Sequence, residues 1–132
     1  MMASAINPFQ HIDLRVTRIA EALPFYEALL PALGFTSTYH DSEWKVFSIG
    51  ARPPVTAYFA LTEAPDHRPN ANRVAFSVAS REEVDRLGRV VVQAGGRNIS
   101  GPRACPEYTP TYYAVFFDDP CGNRFEICYR ET

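Results

Sequence analysis

Apolar and polar positions alternate in two short stretches of the chain, residues 11–16 and residues 73–78. Every second residue in each stretch is apolar, which is the pattern of a strand with one buried face. The apolar positions are Ile12, Leu14 and Val16 in the first stretch, and Val74, Phe76 and Val78 in the second. We therefore expect a half-buried strand at both places.

A helical pattern follows each of these strands. Thr17 is placed to cap the first helix, which ends at Gly34, and Pro24 marks either a late start or a bend. The second helix opens with a capping box made by Ser80 and Glu83. It stops at the glycine pair of residues 95–96. His11 and Gly34 are as far apart along the chain as Arg73 and Gly96, which indicates an internal duplication.

Three further strands are predicted after each helix, because β-branched and aromatic residues recur there between turn residues. They span residues 34–40, 43–50 and 54–63 in the first half, and 97–101, 111–119 and 123–130 in the second. This order predicts an α+β fold with two βαβββ modules, at about 9–62 and 72–130. A polar, proline-rich loop at 63–71 links them within a single domain spanning 1–132.

Composition narrows the possible partners. The 132-residue chain has a formal net charge of −2 and a pI near 5.9, with no run of lysine or arginine, so nucleic acid is not an expected partner. No stretch is long and apolar enough to span a bilayer, which argues against a membrane partner. The three cysteines are odd in number and lack a CxxC pair, which favours a reducing, cytoplasmic location.

The two modules predict a cup. Each curved sheet buries one face under its helix and leaves the other face concave, so polar residues on the second face point into the cup. His11, Arg73 and Glu126 fall on that face, because their neighbours along each strand are apolar. Aligning YFALTE with RFEICY through their shared phenylalanine places Ala60 opposite Glu126.

These features together resemble the vicinal oxygen chelate superfamily, which contains glyoxalase I, the fosfomycin and bleomycin resistance proteins, and extradiol dioxygenases. The resemblance rests on the paired modules, the histidine that opens the first strand, and YYAVFFDDPCGNRFEI at 112–127. It implies a cup-shaped mixed sheet with helices on its outer face, and a homodimer. In that superfamily four cup positions hold His, Gln or Glu ligands of a divalent ion, which stabilises an enediolate or oxyanion.

The resemblance extends to only two of these four ligand positions. His11 and Glu126 match ligand positions, so they are the candidate catalytic residues and the candidate ligands of a weakly held divalent ion. Ala60 has no donor atom, and the guanidinium of Arg73 has no free lone pair. No cofactor is therefore required by the sequence.

The residues leave several roles open. Arg73 can bind an anionic group of a ligand, or it can form a structural ion pair with Glu126. His11 can serve as a metal ligand, a general base or a hydrogen-bond donor. Tyr58 and Tyr113 are candidate ligand-binding residues on the walls of the cup.

Three functions fit this pattern. The first is a protein of the bleomycin-resistance type that binds a small anionic or oxygen-rich molecule in a cup with an incomplete metal site. The second is a metal-dependent enzyme similar to lactoylglutathione lyase or a ring-cleaving dioxygenase. The third is a non-catalytic domain that serves dimerisation.

Overall fold

The computed structural model describes residues 7–50 and 57–131. Within them the elements follow the order βαβββ twice, which confirms the predicted α+β class and its two modules. The first module contains β1 (His11–Val16), α1 (Ile19–Ala32), β2 (Ser37–His40), β3 (Lys45–Ile49) and β4 (Ala57–Glu63). The second contains β5 (Arg73–Ser77), α2 (Arg81–Ala94), β6 (Arg97–Ala104), β7 (Tyr113–Asp118) and β8 (Arg124–Tyr129). Residues 54–56 of the predicted fourth strand lie outside the described residues. In the part of the chain that is described, neither helix is both long and apolar enough to cross a membrane.

The two sheets have the same topology. Each has four strands, in the orders β1-β4-β3-β2 and β5-β8-β7-β6, and the first pair of each order is parallel. Ile12 pairs with Phe59 and Val74 pairs with Phe125, so the two modules share one register. The sheets remain separate, and β1 and β5 lie at sheet edges.

The first helix begins one residue later than a Thr17 cap requires. Arg18 occupies the N-cap position and its side chain makes no capping hydrogen bond. The carboxylate of Glu63, at the end of β4, accepts the N–H of Ile19 at 3.0 Å instead. A long-range partner therefore replaces the local cap that the sequence suggested. Pro24 lies inside this helix.

The second helix has the ends that its sequence predicts. The Ser80 hydroxyl accepts the N–H of Glu83 at 3.1 Å. Gly95 closes the helix at φ 94°, a left-handed conformation that glycine adopts without steric cost. Both helices are 14 residues long, as expected for a duplicated unit.

One aromatic core joins the two modules. Phe59 of β4 packs against Phe76 of β5 and Phe125 of β8, with ring centroids 6.0 and 6.2 Å apart. Tyr26 of α1 contacts both Phe59 and Phe125. Because these rings lie on the helix-facing sides of both sheets, the modules share a single hydrophobic interior.

The turn between β7 and β8 forms a buried polar cluster around Asp119, which has no exposed surface. Its carboxylate accepts the backbone N–H groups of Cys121 and Asn123, each at 2.9 Å, and the Tyr26 hydroxyl of the other module. The Asn123 amide donates to Asp119 and to the Arg15 carbonyl. Burial, followed by the charge of Asp119, raises the pKa of Tyr26 well above the usual value for a phenol. These hydrogen bonds therefore link the DPCGN turn of the second module to the first module.

Candidate functional site

The outer face of the first sheet carries His11 beside Tyr58, its register partner. Their rings stack with centroids 4.4 Å apart. His11 Nδ1 lies 2.7 Å from the Gln10 side-chain oxygen, and Nε2 lies 3.8 Å from the Asp13 carboxylate. Ala60 pairs with Asp13 on the same face. The imidazole is thus held by its neighbours and remains partly open to solvent.

The outer face of the second sheet is centred on Glu126. The carboxylate is largely buried, with 6% of the residue surface exposed, and it accepts a hydrogen bond from the Tyr112 hydroxyl. Glu126 pairs with Phe116 of β7 on one side and with Ala75 of β5 on the other. The last-strand carboxylate therefore already has a partner within the chain.

Arg73 lies on the same face but does not pair with Glu126. Its guanidinium carbon is 5.1 Å from the Phe116 ring centroid, a cation–π contact. No ion pair between the described residues includes Arg73. The structural ion pair with Glu126, one of the two roles open to Arg73, is therefore not formed.

Tyr113 lies on the opposite side of its strand from the expected position. Its hydroxyl donates to Asp85 of α2 at 2.6 Å, and the Arg81 guanidinium lies over its ring. Tyr113 pairs with Tyr129, so it shares the helix-facing side with Val115 and Phe117. The neighbouring Tyr112 occupies the outer face instead. The expectation that Tyr113 lines the cup is thus corrected by the register of β7.

The structure does not bring all the predicted site residues together. In the described part of the chain, no hydrogen bond, ion pair or ring contact joins His11 or Tyr58 to Glu126 or Arg73. Arg73 lines a cavity of about 420 Å³, and the described residues of its walls all belong to the second module. A smaller cavity of about 230 Å³, at the edges of β1 and β5, is shared by Asp13, Arg15 and Arg124.

Four residues on the outer face of the second sheet were not predicted as site residues: Tyr112, Phe116, Arg103 and Arg124. Phe116 lies between the core residues Val115 and Phe117, and Arg124 lies two residues before Glu126, so strand parity was the available signal. Arg103 had no such signal, because β6 shifts register between Arg97 and Ser100 and again between Ser100 and Arg103.

The residues present do not fit the divalent ion that the resemblance implies. Ala60 and Arg73 supply no lone pair, and Glu126 is engaged by Tyr112. Among the described residues, no group of three His, Cys, Asp or Glu side chains is placed to hold an ion. The chemistry of this face is that of guanidinium, phenol and carboxyl groups.

Comparison with known proteins places the chain in a family. Residues 9–127 match the sequence profile of the Glyoxalase/Bleomycin resistance protein/Dioxygenase superfamily. The chain belongs to this superfamily, as its two βαβββ modules also indicate. A search of curated proteins found no match.

Solved structures with the same fold support this assignment. A putative glyoxalase from Bacillus halodurans is 28% identical, with a TM-score of 0.73, and the match covers 93% of this chain and 96% of that one. A glyoxalase/bleomycin resistance protein from Albidiferax ferrireducens is 22% identical, with a TM-score of 0.75 and coverage of 95% and 100%. The fosfomycin resistance protein FosX from Mesorhizobium loti is 19% identical, with a TM-score of 0.68 and coverage of 96% and 95%.

The Tyr112–Glu126 hydrogen bond can be tested by alkaline titration. Burial raises the pKa of Tyr112 above the usual value of 10.0 for a phenol, and Cys128 and Glu126 raise it further. Since the folded-state pKa is raised, this contribution to stability is complete below pH 10 and is lost as the pH rises further. In Glu126→Gln, phenolate absorption should show one tyrosine ionising at lower pH than in the wild type. Glu107→Gln is the control, and an unchanged titration of Glu126→Gln would contradict the hydrogen bond.

Proposed function

We propose that this protein binds a small anionic or oxygen-rich molecule in its cup and does so without a tightly held metal ion. The observation that carries the proposal is Arg73. This guanidinium lies where relatives are expected to carry a ligand histidine, stacks on Phe116 and has no ion pair among the described residues. An arginine held in place by an aromatic ring but not neutralised presents its N–H donors to an anion.

We further propose that a homodimer completes the cup. Within the described chain, β1 and β5 each have one neighbouring strand, and an unpaired edge offers free backbone N–H and C=O groups. Among the described residues, no hydrogen bond, ion pair or ring contact joins the candidate residues of the two modules. A second copy that pairs along these edges would bring His11 and Tyr58 of one chain towards Arg73 and Glu126 of the other.

The cysteine pattern supports a cytoplasmic location for this activity. Cys105, Cys121 and Cys128 are all unpaired, as is usual in a reducing compartment. Because His11 and Glu126 are retained, the alternative function is a metal-dependent lyase or dioxygenase reaction. The following titration distinguishes it from metal-free binding.

Metal dependence is tested by thermal unfolding of chelator-stripped protein with nickel, manganese, zinc, cobalt or ferrous ions. We expect no saturating rise in melting temperature with any ion. A specific ion at 100 times its dissociation constant would stabilise the native state by about 2.7 kcal/mol, which is several degrees for a domain of this size. A saturating rise that is lost in Glu126→Ala but kept in Glu82→Ala would contradict the proposal and support the metal-dependent enzyme.

A further inference from the structure

A group of three arginines lies on the outer face of the second sheet, in the cavity of about 420 Å³ described above. Arg73 comes from β5, Arg103 from β6 and Arg124 from β8. Three strands that are distant in sequence therefore each contribute a positively charged side chain to one cavity.

Phe116 makes cation–π contacts with two of these arginines. The guanidinium carbons of Arg73 and Arg103 are each 5.1 Å from the centroid of its ring. Stacking of this kind orients the planar guanidinium while leaving its edge N–H donors free. Both groups contact one ring and line one cavity, so an anion bound in that cavity lies near both.

The arginines are only partly neutralised by the protein. Arg103 contacts the Glu107 carboxylate and the Ser100 hydroxyl at 3.5 Å each, and the Cys105 sulfur at 3.4 Å. In the described residues, Arg73 and Arg124 take part in no ion pair. Asp118 is the one carboxylate among the described residues that line the cavity, and it accepts a hydrogen bond from Asn98 at 2.8 Å. Three cations therefore line the cavity with one carboxylate, Asp118, while a second carboxylate, Glu107, pairs with Arg103.

Neutral hydrogen-bonding groups complete the lining. Ser100 and Tyr108 present hydroxyl groups to the same cavity, and Tyr108 packs on Tyr112 with centroids 5.1 Å apart. A planar carboxylate has two oxygens and one charge, which a single guanidinium can satisfy. Several guanidinium groups approaching from different strands match a group with three oxygens and close to two charges.

We infer that this cavity is a receptor for the tetrahedral oxyanion group of a phosphate or phosphonate. The inference deepens the proposed function and rests on it, because it names the anionic part of the ligand that the cup binds. Arg73 and Arg103 contact opposite parts of the oxyanion, Arg124 supplies further positive charge, and the hydroxyl groups complete its hydrogen bonds.

Binding is measured by calorimetry at constant ionic strength, because salt screens exposed charges. The probes are inorganic phosphate, glycerol phosphate, methylphosphonate and acetate. We expect saturable binding of the three tetrahedral anions, and acetate at least about tenfold weaker. The order of the first three affinities distinguishes a free phosphate, a phosphate ester and a phosphonate as the natural source.

Variants of the arginines link binding to the cavity. Arg73→Gln and Arg103→Gln should each weaken phosphate binding at least about tenfold, since each removes charge-assisted hydrogen bonds. Arg103→Lys should give an intermediate loss, because it keeps the charge without the planar donor pair. Arg89→Gln, on the exposed side of α2, should bind phosphate as the wild type does.

Three outcomes would overturn the inference in different ways. If acetate binds as tightly as phosphate and with the same dependence on Arg73, the receptor is for carboxylates and the proposed function stands. If no anion binds while the metal titration gives a saturating shift, both the inference and the proposed function are wrong. Equal weakening by Arg89→Gln and Arg103→Gln would overturn the assignment of the cavity.

Discussion

Phe59→Ala is expected to destabilise the protein more than any other variant considered, by about 4 kcal/mol. The residue is 1% exposed and its ring contacts Tyr26, Phe35, Phe76 and Phe125. Truncation removes packing from both modules at once and leaves a cavity in their shared interior. Thermal or denaturant unfolding measures the loss, which corresponds to a drop in melting temperature of roughly 15 °C.

The adjacent Tyr58 provides a matched control. It lies on the outer face of β4, where it stacks on His11. Tyr58→Ala should change the free energy of unfolding by no more than about 1 kcal/mol, since it leaves the shared core intact. If the two variants are equally stable, the assignment of faces along β4 is wrong, and so is the inference that this core joins the modules.

Asp119→Ala is expected to cost about 3 kcal/mol. The variant leaves two backbone N–H groups, the Asn123 amide and the Tyr26 hydroxyl without their acceptor. The Asn123 and Tyr26 donors are buried, so water cannot readily replace the carboxylate as their acceptor. Chemical denaturation should show a larger loss of stability for Asp119→Ala than for Tyr26→Phe, because Tyr26→Phe removes a single donor.

The preceding residue tests whether this effect belongs to the cluster or to the turn. Asp118 is partly exposed and accepts one hydrogen bond, from Asn98. Asp118→Ala should therefore cost less than about 1 kcal/mol. A loss as large as that of Asp119→Ala would show that the turn tolerates no change at either position, and that the buried cluster is not the cause.

Local sequence patterns predicted the fold well, because each element is encoded by contacts a few residues apart. The alternation in residues 11–16 and 73–78 and the capping box at Ser80 all rest on near neighbours. The cap of α1 could not be predicted in this way, since its acceptor is Glu63, 44 positions away. Contacts of that kind depend on how the sheets assemble.

The candidate site was predicted less completely, for a related reason. Alternation placed His11, Arg73 and Glu126 on the outer faces, where the structure has them. It could not place Tyr113, because the face of β7 is set by its pairing with β8. Arg103 could not be predicted as a site residue, because the register shifts in β6 break the alternation on which such a prediction depends.

The DPCGN turn has a structural role that its sequence alone does not indicate. Its sequence suggests a family signature beside a catalytic carboxylate, whereas its contacts are those of a structural clasp between Asp119, Asn123 and the first module. The DPCGN motif therefore has a structural role, whereas the neighbouring Glu126 lies on the outer face of the second sheet. Matching this motif identifies the family and says little about the chemistry.

The shared aromatic core also bears on how such a protein diverges. Core positions and cup positions alternate along the same strands, so a substitution at a cup position leaves the rings of the core untouched. The identity of a cup residue such as Arg73 can therefore change without loss of the core packing. The aromatic interior thus maintains the fold, and the residues at cup positions such as Ala60 and Arg73 determine what the cup can bind.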